Sequence, residues 1–347
     1  MMARARLGRI HVVHVLVLVL GAIAFAVVVD RVGWDAMQRA VIGAGWWFVV
    51  MAALDLASVF CDAAGIHQFV RVHEPISYWR VIAAQASGMA LNRLTPGNSV
   101  GEALKVTMLM AHVPRTTAVS AIVKFNLATL YVALAVIVIG VPLTLVSLDL
   151  PARVELAVWI GTGLLVVVAV ALALVVRRGA LATLIEGIRR SRLISAARAA
   201  RWLDRIRAID ANIRGFGDPR SRRGVAFVMG SRVLHWIGTI VVLEAAGVPM
   251  TVPLVIGMLS VGILVTWLSN VIPLGMGLAD GGNYLLYPAL GSAASAGLDF
   301  TMVNRTRTVI MAALGLTIML LATLIDRSIR TASGVRRDAD SVSEPRP

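Results

Sequence analysis

Cysteine is almost missing from this 347-residue chain. Cys61 stands alone, so neither an intrachain disulfide nor a cysteine-based metal cluster can form. The six histidines show no H-x-x-H or H-E-x-x-H spacing, which removes the usual zinc arrangements. Acidic residues are scarce too, with 19 Asp and Glu against 33 Lys and Arg. Nucleophile elbow, P-loop and dinucleotide fingerprint are all lacking. The chain therefore reads as non-enzymatic, with no cofactor and no metal expected.

Apolar residues are abundant. They make up 58% of the chain, and its mean hydropathy of +0.82 exceeds what a soluble domain carries. At least six stretches approach or pass the roughly 18–20 residues needed to cross a bilayer core. The expected fold class is an all-α polytopic integral membrane protein. Full crossings read at about 10–29, 46–69, 117–147, 152–176, 224–246 and 305–326, with two further segments, 79–112 and 252–297, broken by Pro and Gly. The first stretch follows Arg4, Arg6 and Arg9 like a signal peptide, but it is too long and lacks a small-residue cleavage site, so it is read as retained. The 117–147 stretch exceeds what a bilayer requires, which implies tilt, a kink at Gly140/Pro142 or a part outside. Trp34, Trp46, Trp47, Trp79 and Trp159 fall near the ends of apolar stretches, as interface anchors do. The membrane domain is placed at 1–329, and the polar tail 330–347 is expected to be disordered.

Net charge is +14, and most of it is concentrated. Between Arg177 and Arg223 there are 13 Arg against Glu186, Asp204, Asp210 and Asp218. With Trp202, Leu203, Ile206 and Ile209 at helical spacing, 177–223 reads as a basic amphipathic linker on the cytoplasmic face. No nucleic-acid recognition module accompanies the charge, so nucleic acid is not an expected partner. Counting crossings from cytoplasmic Arg4, Arg6 and Arg9 puts both termini in the cytoplasm. The same count makes 79–112 enter and leave on the cytoplasmic side and 252–297 on the outer side. Two broken segments of opposite orientation are what an inverted repeat requires.

The broken segments also hold the polar residues. In the first, Pro96, Gly97 and Gly101 interrupt the helix among Asn92, Arg93, Asn98, Glu102 and Lys105. Glu102 and Lys105 are three apart and can share a helix face. In the second, Asn270, Pro273, Gly275 and Gly277 precede Asp280, which either caps the following helix or binds a cation. Charges at membrane depth are expensive and mark pathways or sites. Arg305 and Arg307 open the last span, Asp55 and Asp62 share a face of the second, and Arg232 and His235 sit three apart in the fifth. Some of these groups would serve only as glue between helices.

At the two breaks the chain resembles the flippase-like membrane region of the lysylphosphatidylglycerol synthases and their stand-alone relatives. Members carry a Pro-Gly turn leading to Gly-Glu and a basic residue three positions on, here Pro96-Gly97, Gly101-Glu102 and Lys105. A second motif, Pro-Gly-Gly-x-Gly-x-x-Glu-Gly, is matched from Pro273 to Gly281, with Leu274 in place of a Gly and Asp280 in place of Glu. Ala279 stands where Arg is common. The resemblance implies a polytopic protein of the inner (plasma) membrane that binds or moves lipids, or lipid-linked headgroups, between leaflets. The synthases' soluble aminoacyl-transfer domain has no counterpart here, so that activity is not implied. Expected partners are anionic membrane lipids, contacted by Arg93, Lys105, Arg305 or Arg307. The alternative is a non-transporting subunit that presents lipid to a membrane glycosyl- or aminoacyltransferase.

Overall fold

A segment in lipid must satisfy its own backbone, so a chain with these apolar runs is confined to helices wherever it crosses. The computed structural model describes residues 18–95, 99–147, 152–178, 218–248, 250–269 and 276–342, and no strand occurs among them. The helices are α1 (18–32), α2 (Trp34–Ala44), α3 (Trp46–Arg71), α4 (Tyr78–Leu94), α5 (Ser99–Leu109) and α6 (Arg115–Ser147). They continue with α7 (Ala152–Arg178), α8 (Pro219–Ala245), α9 (Val252–Ser269), α10 (Leu278–Ala289) and α11 (Ala294–Val342). Among the described residues α3, α6, α8 and the Ala294–Ile325 part of α11 are long and apolar enough to span a membrane, and shorter apolar stretches lie at Val158–Ala171 and Val252–Thr266. The protein is a polytopic all-α membrane protein.

Its organising contact is α8 lying antiparallel along α3. Arg220 Nη1 donates to the Arg71 carbonyl at 2.6 Å, and Ser231 Oγ donates to the Ser58 carbonyl at 3.1 Å. Asp218 starts α8 as an N-cap, its carboxylate accepting from the Arg220 and Ser221 amides, with Pro219 in the first turn where a missing N–H costs nothing. α3 and α8 thus point in opposite directions. Each is followed by a short turn and a pair of short antiparallel helices.

α4 and α5 form the first hairpin, folded back at the Arg71 end of α3. α9 and α10 form the second, at the Trp46 end. Eleven residues of α5 reach about 17 Å and twelve of α10 about 18 Å, roughly half of a 30 Å hydrocarbon core. Neither hairpin can cross twice, because its second arm is too short. The long helices α6 and α11 run past both tips. α6 meets the first hairpin at Phe125 and Asn126 and the second at Gly140 and Thr144. α11 meets the second at Thr301 and the first at Gly315. The sequence α3–hairpin–α6 is therefore repeated, inverted, as α8–hairpin–α11.

Without a hydrophobic drive between helices in lipid, contact depends on small residues that let backbones approach. A Cβ on Gly224 would stand 2.6 Å from the Phe69 ring, and one on Gly315 would stand 2.5 Å from the Ala86 carbonyl. Buried apolar clusters complete the packing at either end. Phe69, Val81, Leu109 and Val228 gather around the first hairpin, and Met51, Val242, Leu254 and Tyr287 around the second. Leu91, Leu104 and Leu316 tie α11 to the first hairpin. Trp34, Trp46, Trp47, Trp79 and Trp159 are all exposed, as interface anchors should be.

One feature departs from the sequence reading. α2 is a separate helix set off by Gly33 (φ 84°) and Gly45 (φ 53°), glycine conformations that side chains rarely adopt. Its eleven residues are too few for a span and too mixed for a simple apolar run. The backbone of α11 is helical to Val342. Most of the basic linker, 179–217, lies outside the described residues, as do 1–17 and 343–347.

The seam makes a specific forecast. Gly224→Ala should lower the thermal midpoint of the detergent-solubilised protein, because overpacking costs about 1–3 kcal/mol. Gly230→Ala on the same helix, where nothing lies within 4 Å of the new Cβ, should leave the midpoint unchanged or raise it.

Candidate functional site

The tips of the two hairpins, entering from opposite ends, open onto one cavity of about 630 Å³. Asn92, Arg93, Thr95, Glu102 and Lys105 reach it from the first hairpin, and Thr266, Ser269, Ala279 and Asn283 from the second. α3 contributes Asp62, α8 contributes Arg232, His235 and Trp236, and α11 contributes Arg305 and Arg307.

The first tip is built around Glu102, in the opening turn of α5 where the helix dipole favours a carboxylate. Its Oε1 accepts from Asn92 Nδ2 at 2.9 Å and from Lys105 Nζ at 2.7 Å, and its Oε2 accepts from Asn126 Nδ2 at 2.9 Å. Glu102 thereby ties α4, α5 and α6 together. Asn92 also accepts from the Gly101 amide at 2.8 Å, which pins the two arms of the hairpin. Gly101 is forced by space, since a Cβ there would overlap the Gly88 carbonyl and Asn92 Oδ1. Lys105 is buried, with its ammonium 5.1 Å from the centre of the Phe125 ring.

The second tip repeats the device. Asp280 lies in the first turn of α10, where its Oδ2 accepts from the Gly277 amide at 2.8 Å. The same carboxylate takes two hydrogen bonds from Arg305 Nη2, at 3.1 and 2.9 Å. The carboxylate thus closes the first turn of α10 and has its charge met by Arg305.

Two further ion pairs cross from one half to the other. Arg307 grips Asp55 through Nε and Nη2, each at 2.6 Å, and both side chains are buried. Arg232 Nη2 donates to both oxygens of Asp62 at 2.8 Å, and Gln85 Nε2 adds a bond to Asp62 at 3.2 Å. The Arg307 fork is bidentate, and Asp62 has Gln85 as a further donor, which is what makes such pairs tolerable away from water.

Of the residues that sequence singled out, Asn92, Arg93, Glu102, Lys105, Arg305 and Arg307 meet at the cavity. Gly101 closes the first hairpin behind it, and Gly277 and Asp280 start the helix after the second tip. Pro96, Gly97, Asn98, Asn270, Pro273 and Gly275 lie outside the described residues. Five cations and two carboxylates, Asp62 and Glu102, wall the space. Gln85, Thr129 and Trp236 were not singled out, because nothing in an uncharged or aromatic residue of a span distinguishes a cavity wall from a lipid face. Among the described residues no group of three or more His, Cys, Asp and Glu could hold a metal.

The family described as the lysylphosphatidylglycerol synthase TM region matches residues 12–315. Neither a curated protein nor a solved structure matches the chain.

Burial ranks the four ion pairs. Asp55→Asn should destabilise the protein by about 3–5 kcal/mol, since it strands Arg307 in a buried position. Asp280→Asn removes a pair whose carboxylate is one-third exposed, and should cost no more than about 1 kcal/mol. Replacing both partners of the first pair with apolar residues, Asp55→Leu with Arg307→Met, should recover most of the loss. Thermal midpoints of the purified variants would rank the three.

Proposed function

The chain belongs to the family of the lysylphosphatidylglycerol synthase transmembrane region, and from that premise we propose that it carries a lipid, or a lipid-linked headgroup, between the leaflets of the membrane. The observation that carries this reading is the meeting of two oppositely oriented hairpin tips at one charged cavity. A headgroup needs a polar, water-tolerant stopping place at mid-depth, and irregular backbone at that depth is tolerated only where it lines such a space. Broken helices around a midplane site, in two inverted halves, are also the arrangement from which rocking gives alternating access.

The residues divide into two tasks. Glu102 and Asp280 hold the tips in shape, each within its own half. The Asp55–Arg307 and Asp62–Arg232 pairs join the halves and stay closed as a pivot while the hairpins move about them. Arginine in the N-terminus, linker and tail favours cytoplasmic placement for all three, in the plasma membrane. The same linker supports a second reading, a subunit docked on a membrane transferase, because its 13 Arg offer a surface the transport cycle does not use.

Reconstitution separates the two. The isolated chain in vesicles should speed the passage of labelled phospholipid between leaflets. Glu102→Gln should slow it about tenfold, the weight of one charge-assisted hydrogen bond. A chain that moves no lipid, while deletion of 179–217 abolishes a transferase activity in cells, would establish the subunit reading instead.

A further inference from the structure

The charges around the cavity do not cancel. Lys105, Arg232, Arg305 and Arg307 are each held by a carboxylate, at 2.6–2.9 Å, and four carboxylates serve them. Arg93 has none among the described residues. It projects from the end of α4 into the cavity, and its Nη1 is buried without a hydrogen-bond partner. It lies within electrostatic range of Asp55 and Asp62, but both of those are already gripped by other arginines. One positive charge is left over.

We propose that the cavity selects a singly charged phosphodiester headgroup, with Arg93 as the residue that holds its phosphate. The inference rests on the reading above only in placing a lipid in this cavity. A phosphodiester brings one negative charge, planar-fork acceptors for guanidinium, and no cation needing a partner. A phosphomonoester brings more negative charge than the single free arginine can match. A zwitterion brings an ammonium, and every carboxylate near the site is engaged. An aminoacylated headgroup, with its added ammonium groups, fits worst. Uncompensated charge at membrane depth is costly in each of these cases. The selection therefore follows from charge balance at the cavity.

The test uses the full-length protein, purified and offered an equimolar mixture of phosphatidylglycerol, phosphatidylethanolamine, phosphatidic acid and lysylphosphatidylglycerol. Bound lipid is read by native mass spectrometry. Wild type should retain phosphatidylglycerol about tenfold over each of the others, Arg93→Gln should lose that preference, and Arg93→Lys, which keeps the charge without the fork, should keep the preference with weaker retention. Asp62→Asn, which frees Arg232, should shift retention toward phosphatidic acid, and this variant decides the matter where Arg93→Gln fails to fold. Equal retention by wild type, or a preference that survives Arg93→Gln, would overturn the proposal. Dimethyl phosphate is added as a competitor. Displacement of lipid by it at equal concentration would keep the charge selection but overturn a lipid as its source. Vesicle assays run in parallel distinguish the two failures. Transport without charge preference sinks this inference alone, whereas selective binding without transport sinks the transport reading alone.

Discussion

The grip of Arg307 on Asp55 is the interaction on which the rest of the molecule depends. Both side chains are buried, both bonds are 2.6 Å, and the partners come from opposite halves. An ionised carboxylate in lipid is tolerable only if it is met by an opposite charge in good geometry. That requirement fixes how α11 rotates about its axis and how deep it sits beside α3. Once α11 is so placed, Arg305 is carried to Asp280 at the second tip, and Gly315 comes against Ala86 at the first hairpin. Asp62 with Arg232 does the same for α8, two turns further along α3. α3 thus acts as a template whose two carboxylates set the register of the other half.

The tips obey a local version of the same rule. Each interrupts its helix, resumes it, and places a carboxylate in the first turn after the break. At that point a carboxylate complements both the dipole of the new helix and a nearby cation. The halves differ in where the cation comes from. Glu102 takes Lys105 from its own helix, whereas Asp280 reaches to α11 for Arg305. The first tip is consequently self-contained, and it also bonds to α6 through Asn126. The second depends on the placement of α11. Two hairpins alike in outline are therefore unlike in what supports them.

Much of this was legible in the chain, for identifiable reasons. Pro and Gly write helix breaks directly into sequence, so the two hairpins, their order and their opposed orientation could be read from spacing and positive charge. The Glu102–Lys105 pair was legible because three residues on a helix fix two side chains on one face. The choice of Arg307 by Asp55 was not, since it depends on rotations of two helices 252 residues apart in the chain. Nor was the place of Gly224, which matters only because Phe69 stands opposite. α2 escaped because two glycines at positive φ, rather than any apolar run, define it. Composition tells which residues must be paired or packed, and tertiary geometry decides with whom.

The long separation of the buried pairs carries a consequence for biogenesis. Asp62 enters the bilayer 170 residues before Arg232 is made, and Asp55 enters 252 residues before Arg307. At ordinary rates of synthesis the second interval lasts about 10–50 s. Until its own arginine is made, each of the two acids on α3 lacks its ion-pair partner and must wait beside water or in the care of an insertion chaperone. The nascent first half is an open circuit that closes only when the last helix arrives. Quality control that senses exposed intramembrane charge would read a chain truncated before Arg307 as unfinished.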